Sequence, residues 1–402
     1  MNSVDAVVIG GGVIGCAVAY NMAKAGVSVA IVERDDICAG TSAACDTAIH
    51  LQSKNPGIHL QMAQESIKLF PELQKDFDED IHFKKTGTMI AIQTWEQFEV
   101  MRVFAERQRN HGLDVVILDR AAAVERQPMM KGDVVGATYC TADATIHPQF
   151  LTKGYFQAAK KYGAKAMLHT KVENIVLKEG HVASVTTNRG NIPCKYVVNA
   201  CGAYAPFIGK MAGLDIPIAP RRGQIVVTEP MPKFTHTIVN CARYIAAKFR
   251  PDLLGTSEAD RMGVGLSLTQ TERGNLLIGG TREFVGYDTR TTQKALLYIL
   301  KHATNILPAL KDIHIIRTFA GLRPFTPDGL PILGNVPGIE GFVMAAGHEG
   351  DGLALSAITG RLIAEIICEK QSAYDFDLTK LSLERYRNID IKAFEAQYAV
   401  CK

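Results

Sequence analysis

Two glycine-rich turns, one acid and one arginine hold most of the chemistry this sequence offers. Gly10-Gly11-Gly12-Val13-Ile14-Gly15 has dinucleotide-turn spacing, and Glu33 stands eighteen residues beyond its last glycine. Gly10 permits a tight reversal, Gly12 lets backbone approach a pyrophosphate, and Gly15 lets helix and strand close together. The helix opening there presents unpaired N–H groups and a positive dipole end to phosphates, and Glu33 suits a ribose diol. A second turn, Gly347-His348-Glu349-Gly350-Asp351-Gly352, follows more than three hundred residues later. A nicotinamide cofactor has no use for it, which disfavours a nicotinamide dehydrogenase. A flavin laid across a sheet can set the N1–C2=O edge of its ring, where charge develops on reduction, against a second helix N-terminus. Arg323 lies in Gly321-Leu322-Arg323-Pro324, and a planar guanidinium stiffened by proline suits bidentate capture of a carboxylate. Tyr244 is a candidate to close over that carboxylate, and His348 is a candidate group beside the flavin ring.

These residues need elements to position them. Residues 5–9 (DAVVI) read as a buried parallel strand, 16–24 as a helix ending at Gly26, and 27–32 as the next strand. Together they make one βαβ unit. Helices are expected near 59–77, 96–111, 148–162, 292–305 and 353–369. Segment 85–92 alternates like an antiparallel strand, and strands are expected at 166–177, 181–187 and 196–202. Long antiparallel strands are expected at 223–228, 263–268 and 275–280, and a last strand at 342–346 runs into the second turn. Tyr244 is expected just before a strand. The pattern predicts an α/β fold in which the chain crosses more than once between a discontinuous Rossmann-like domain built around the βαβ unit (1–82, 141–216, 324–402) and a mostly antiparallel α+β domain (83–140, 217–323).

Composition bounds the rest. At 402 residues the chain suits two domains. With 44 Lys and Arg against 41 Asp and Glu, no concentration of positive charge argues for nucleic acid. Nine cysteines with no C-x-x-C pair argue against a zinc site or an iron–sulfur cluster of the chain's own. They suit reduced thiols in a cytoplasmic protein. No apolar run is long enough to span a membrane, no basic leader precedes the first strand, and peripheral membrane contact stays open.

The run VVIGGGVIGCAVAYNMAKAGVSVAIVER, the loop GTSAA, RRGQ at 221–224, GGTRE at 279–283, GLRPFTPDGLPILG at 321–334 and AGHEGDGLALSAITG at 346–360 resemble the FAD-dependent D-amino-acid oxidase superfamily. Glycine oxidase, sarcosine oxidase and the D-amino-acid and imino-acid dehydrogenases are the most similar branches. The resemblance implies FAD in a glutathione-reductase-like domain, with Gly10 to Gly15, Glu33, Arg34, Gly40, Thr41, Ser42, Val172, Gly202, Arg323 and Gly347 to Leu353 around it. In particular it implies that Gly40, Thr41 and Ser42 cover the pyrophosphate and ribityl chain, that the Val172 backbone meets the adenine, and that Arg323 holds a substrate carboxylate. No cysteine stands at 318–328, where some relatives attach the flavin, so non-covalent FAD is expected.

The resemblance further implies oxidation of a small D-amino or secondary amino acid to an imine. The Gly-His-Glu-Gly-Asp-Gly turn is most similar to FAD subunits of heteromeric hydroxyproline, opine and proline dehydrogenases and of the hydrogen cyanide synthase type. That implies a companion subunit carrying an iron–sulfur cluster. A self-sufficient oxidase producing hydrogen peroxide and a non-catalytic flavoprotein subunit are the alternatives. After Ser42 the chain departs from many relatives with Cys45, Asp46 and His50, on the loop that faces the flavin ring in the family, so substrate choice is expected to differ.

Overall fold

The computed structural model describes residues 3–398, so Cys401 lies outside the described residues. Ala6–Ile9, Val29–Val32, Tyr196–Asn199, Phe342–Ala346 and Lys165–Met167 pair in parallel, and Ile332–Asn335 closes one edge antiparallel. Because strand side chains alternate, Val8, Ile31 and Val198 pack under a helical layer. Val7, Ile9, Val32 and Val197 face Val172, Ile175, Val185 and Ile192 on the opposite side. Burial on both faces is why these strands read as continuous apolar runs. The helical layer is Val13–Lys24 packed against Gly352–Ile367 and Pro148–Lys161, with Ile58–Leu73 behind.

Segment 166–177 is not one strand. The chain turns after Lys165–Met167, with His169 at φ 50°, and Val172–Lys178 instead opens a three-stranded antiparallel sheet with His181–Thr187 and Gly190–Pro193. The alternation on either side looks the same in sequence, so the change of sheet carries no periodic signal.

The second large sheet has eight strands, in the order Ile315–Phe325, Ala219–Pro230, Asn275–Gly279, Ser267–Gln270, Ile238–Cys241, Thr88–Ile92, Gly136–Cys140, Val116–Asp119. Helix Gln293–Ile306 seats Ile299, Ala303 and Ile306 on one face against Val226, Leu268 and Ile278. Thr88–Ile92 pairs antiparallel with Gly136–Cys140 and parallel with Ile238–Cys241, so the sheet is mixed. One strand outruns its predicted length, and its partner was not expected as a strand. Ala219–Pro230 and Ile315–Phe325 pair over ten positions and place Arg221 opposite Arg323 and Gly223 opposite Gly321.

Candidate functional site

A cavity of about 1250 Å³ is lined by the carboxyl ends of the first two parallel strands and by the eight-stranded sheet. That exceeds the roughly 300–1,000 Å³ that holds a drug-sized ligand. Its position at the carboxyl ends of parallel strands is where open α/β sheets bind ligands.

At the first turn each glycine meets a physical demand. Gly10 has φ 113°, and a Cβ there would stand 2.7 Å from the Ala200 carbonyl oxygen. A methyl on Gly15 would run into the Gly10 carbonyl oxygen. Gly12 has only the Ser42 hydroxyl near its missing side chain, so its backbone stays open to the cavity. Helix Val13–Lys24 has no acid in its first turn, and its Val13 N–H donates to Ser42 Oγ at 3.0 Å. Thr41 Oγ1 donates to the Leu322 carbonyl at 2.6 Å, tying this loop to the arginine strand. Glu33 accepts from Gly11 N at 2.6 Å and Asp35 N at 2.9 Å. These bonds hold the acid at the mouth of the turn, where it lines the cavity. Arg34 stacks on Tyr204 at 4.2 Å, and Val172 and Gly202 line the same cavity. An open glycine backbone, a helix end without acids and an acid at the end of the second strand fit the ADP part of FAD.

The second turn is built differently. Its carboxylates reach back into the protein: Asp351 pairs with Lys54, a side chain only 1% exposed, and lies 3.0 Å from His59 Nε2. Burial works to raise the Asp351 carboxyl, but Lys54 and His59 outweigh it and hold it well below the usual carboxylate range. Glu349 pairs with Arg221. His348 is buried, with Nε2 3.0 Å from Thr359 Oγ1, and burial pushes its imidazole down to about 3. A ring held neutral and within hydrogen-bond distance of a helix hydroxyl shapes the turn, and it lines the cavity where the sequence reading puts it beside the flavin.

Arg323 projects over Gly223, whose missing side chain leaves the guanidinium its space. Nη1 donates to the Thr281 carbonyl at 2.9 Å, and among the described residues no carboxylate lies within ion-pair distance. Burial, with Arg282 nearby, pushes it down to about 10, so it stays charged at neutral pH. Tyr244 lies on the short helix Arg243–Ala247 after a strand, not before one. Its hydroxyl is buried without a hydrogen-bond partner among the described residues. Burial raises its pKa against the pull of Arg282 and Arg243, so it remains a donor.

Of the residues singled out from sequence, Gly10, Gly12, Val13, Ile14, Glu33, Arg34, Gly40, Thr41, Ser42, Val172, Gly202, Tyr244, Arg323 and His348 through Leu353 line this one cavity. Gly11, Gly15 and Gly347 do not, and they act through packing. Gly347, at φ 83°, has no room for a side chain against Thr326. Sequence reasoning missed Lys54, His59 and Arg282. The only signal for any of them was Arg282's place in the GGTRE motif.

The description "DAO: FAD dependent oxidoreductase" covers a family match over residues 5–366. The chain belongs to the FAD-dependent oxidoreductase family. It is 30% identical to hydrogen cyanide synthase subunit HcnC of Pseudomonas protegens, over 96% of this chain and 97% of that one. It is 29% identical to glycine oxidase of Geobacillus kaustophilus, over 95% and 97%. Among solved structures, L-proline dehydrogenase from P. horikoshii superposes with a TM-score of 0.86 at 28% identity, covering 96% and 98%. Glycine oxidase from Geobacillus kaustophilus does so with 0.85 at 27% identity, covering 95% and 99%. The family's FAD and the mixed architecture of a parallel-sheet layer beside an antiparallel-rich sheet agree with the sequence-based expectation. No described helix is long and apolar enough to cross a membrane.

Proposed function

We propose that this chain oxidises a small D-amino or secondary amino acid at its Cα–N bond, with non-covalent FAD, as the flavin subunit of a heteromeric dehydrogenase. The observation that carries this reading is Arg323: a charged guanidinium without a carboxylate partner among the described residues, lining the same cavity as the Gly10–Gly15 turn. Arg323 receives the substrate carboxylate bidentately, and the Tyr244 hydroxyl donates to the same group. Bound FAD supplies a two-electron acceptor for the hydride that leaves Cα. The amine proton passes to water, and the resulting imine hydrolyses to an oxo acid and the free amine. Pinning by Arg323 lowers the barrier by orientation, so the chain needs no strong base of its own. Gly10, Gly12 and Glu33 hold the ADP part of the cofactor, and Gly40, Thr41 and Ser42 cover its middle. The residues 1–82, 141–216 and 324–402 form the cofactor domain in this reading, and 83–140 and 217–323 the substrate domain.

The relatives support two electron routes. One is named as a subunit of hydrogen cyanide synthase, which favours a companion chain, and the iron–sulfur cluster that the family resemblance implies would sit on that companion. Another is a glycine oxidase, which favours direct reaction with oxygen. The deciding experiment is the visible spectrum of the purified chain under anaerobic conditions with glycine, sarcosine, D-alanine, D-proline, D-hydroxyproline and L-proline. Bleaching of bound flavin by one of them is the expected result. Slow recovery in air then gives the dehydrogenase, and rapid recovery the oxidase. A flavin that no amino acid bleaches overturns the proposal.

A further inference from the structure

The cavity holds more positive charge than one carboxylate can use. Around its substrate-facing wall Arg221 is neutralised by Glu349, and Lys54 by Asp351. Arg323, Arg282 and Lys248 line the cavity with no carboxylate within ion-pair distance among the described residues, as does Lys171 next to Val172. Near Arg323 stands Asp46, which accepts from Ser267 Oγ at 2.8 Å; of the other acids lining the cavity, Glu349, Asp351 and Asp328 are already paired with cations, and Glu33 and Asp35 lie just past the second strand. The chain beyond strand Asn275–Gly279 explains the surplus. Glu283, next in sequence to Arg282, turns to the opposite side and pairs with Arg222 at 3.0 Å, leaving Arg282 without it. Arg282 instead lies over the Tyr244 ring at 4.2 Å and makes one long contact, Nη1 to the Gly263 carbonyl at 3.4 Å. Its planar fork is therefore nearly unused. Gly263 and Gly265 keep space around it, since a Cβ on Gly265 would stand 3.3 Å from Arg282 Nη1.

Two guanidiniums that line one cavity repel each other, as the effect of Arg282 on Arg323 shows, and an anion on each offsets that repulsion. A monocarboxylate amino acid satisfies Arg323 and leaves Arg282 unmatched. We propose that Arg282, with Lys248, is a second anion subsite, and that the substrate is an amine bearing two carboxylates: an N-carboxyalkyl amino acid or an acidic amino acid. The first carboxylate sits on Arg323 and Tyr244, and the second on Arg282. This inference rests on the amino-acid reading above and narrows its substrate class.

The test separates binding from turnover. The FAD-loaded chain is titrated by calorimetry with the unreactive diacids malonate, succinate, glutarate and adipate, and with acetate, propionate and butyrate. At least one diacid is expected to bind about 30-fold more tightly than its monoacid counterpart, the effect of one well-made desolvated charge pair. Arg282→Gln should collapse that ratio toward one, and Arg282→Lys should restore part of it; flavin content and circular dichroism check that both variants are folded. If no diacid exceeds its monoacid by threefold in the unaltered chain, or if Arg282→Gln weakens both classes equally, the subsite is overturned. Anaerobic bleaching is then compared for sarcosine against iminodiacetate and for D-alanine against D-aspartate, with the diacid amine of one pair expected to act faster. Diacid selectivity that depends on Arg282, with no amine bleaching the flavin, upholds the subsite and overturns amine oxidation. Bleaching by amines without diacid selectivity does the reverse.

Discussion

The two glycine turns look alike in sequence and work by opposite means. In the first, Gly10 and Gly15 are glycine because backbone from Ala200 and from the turn itself occupies the space a side chain would fill. In the second, only Gly347 is crowded. Gly350 meets nothing nearer than the Arg323 side chain at 3.5 Å, and the turn is held by its side chains, Asp351 on Lys54 and Glu349 on Arg221. One turn is shaped by close approach of backbone, the other by ion pairs to distant parts of the chain. Close approach tolerates no substitution. An ion pair can be weakened by degrees.

Substitutions should therefore rank in a definite order. Gly15→Ala is expected to have the largest effect, with loss of nearly all bound flavin read from the ratio of visible to ultraviolet absorbance, while Gly350→Ala retains flavin. Equal loss in both would break the contrast between the turns. Arg323→Ala should keep its flavin and raise KM for the amino acid about 100-fold or more, since it removes a charge-assisted pair from a desolvated site. An unchanged KM would remove Arg323 from substrate binding.

Within the second turn, Asp351→Asn leaves the Lys54 ammonium buried without its counter-charge and should cost about 3 kcal/mol in urea unfolding. Glu349→Gln, on a pair whose side chains are 17% and 18% exposed against 1% for Lys54, should cost less, about 1–2 kcal/mol. Similar losses from both would mean that burial does not set the strength of these pairs.

His348 sharpens the contrast through pH. Its folded pKa of about 3 lies below the ordinary value of 6.5, so between these values the unfolded chain binds a proton that the folded chain refuses. Stability should accordingly fall as pH drops from about 6.5 toward 3. His348→Asn should make that acid limb shallower in urea midpoints measured across the window. An unaltered slope would show that this ring is not held neutral by burial.

The first turn was legible because its causes are local: strand, glycines and acid fall within one βαβ unit, and spacing alone reports them. Arg323 was legible from its own chemistry beside a proline. Lys54 was not, because its partner is 297 residues away in sequence and nothing around Ser53 or Asn55 announces a buried ammonium. Arg282 was present in a familiar motif, yet its exposure to the cavity depends on which face of the chain its neighbour Glu283 takes. Tyr244 was assigned to the right cavity and the wrong element, since a five-residue helix leaves too short a pattern to read. Segment 166–177 misled for a related reason, because two strands of different sheets share one alternation.

The burial of Lys54 has a consequence for covalent labelling. Its amine is sealed by the turn that closes over it, so an acylating reagent that reaches the exposed lysines within minutes should reach this one only when the turn opens. The rate of its modification would then be a clock for that opening, readable by mass spectrometry on the intact chain, and substrate or cofactor that steadies the turn should slow the clock.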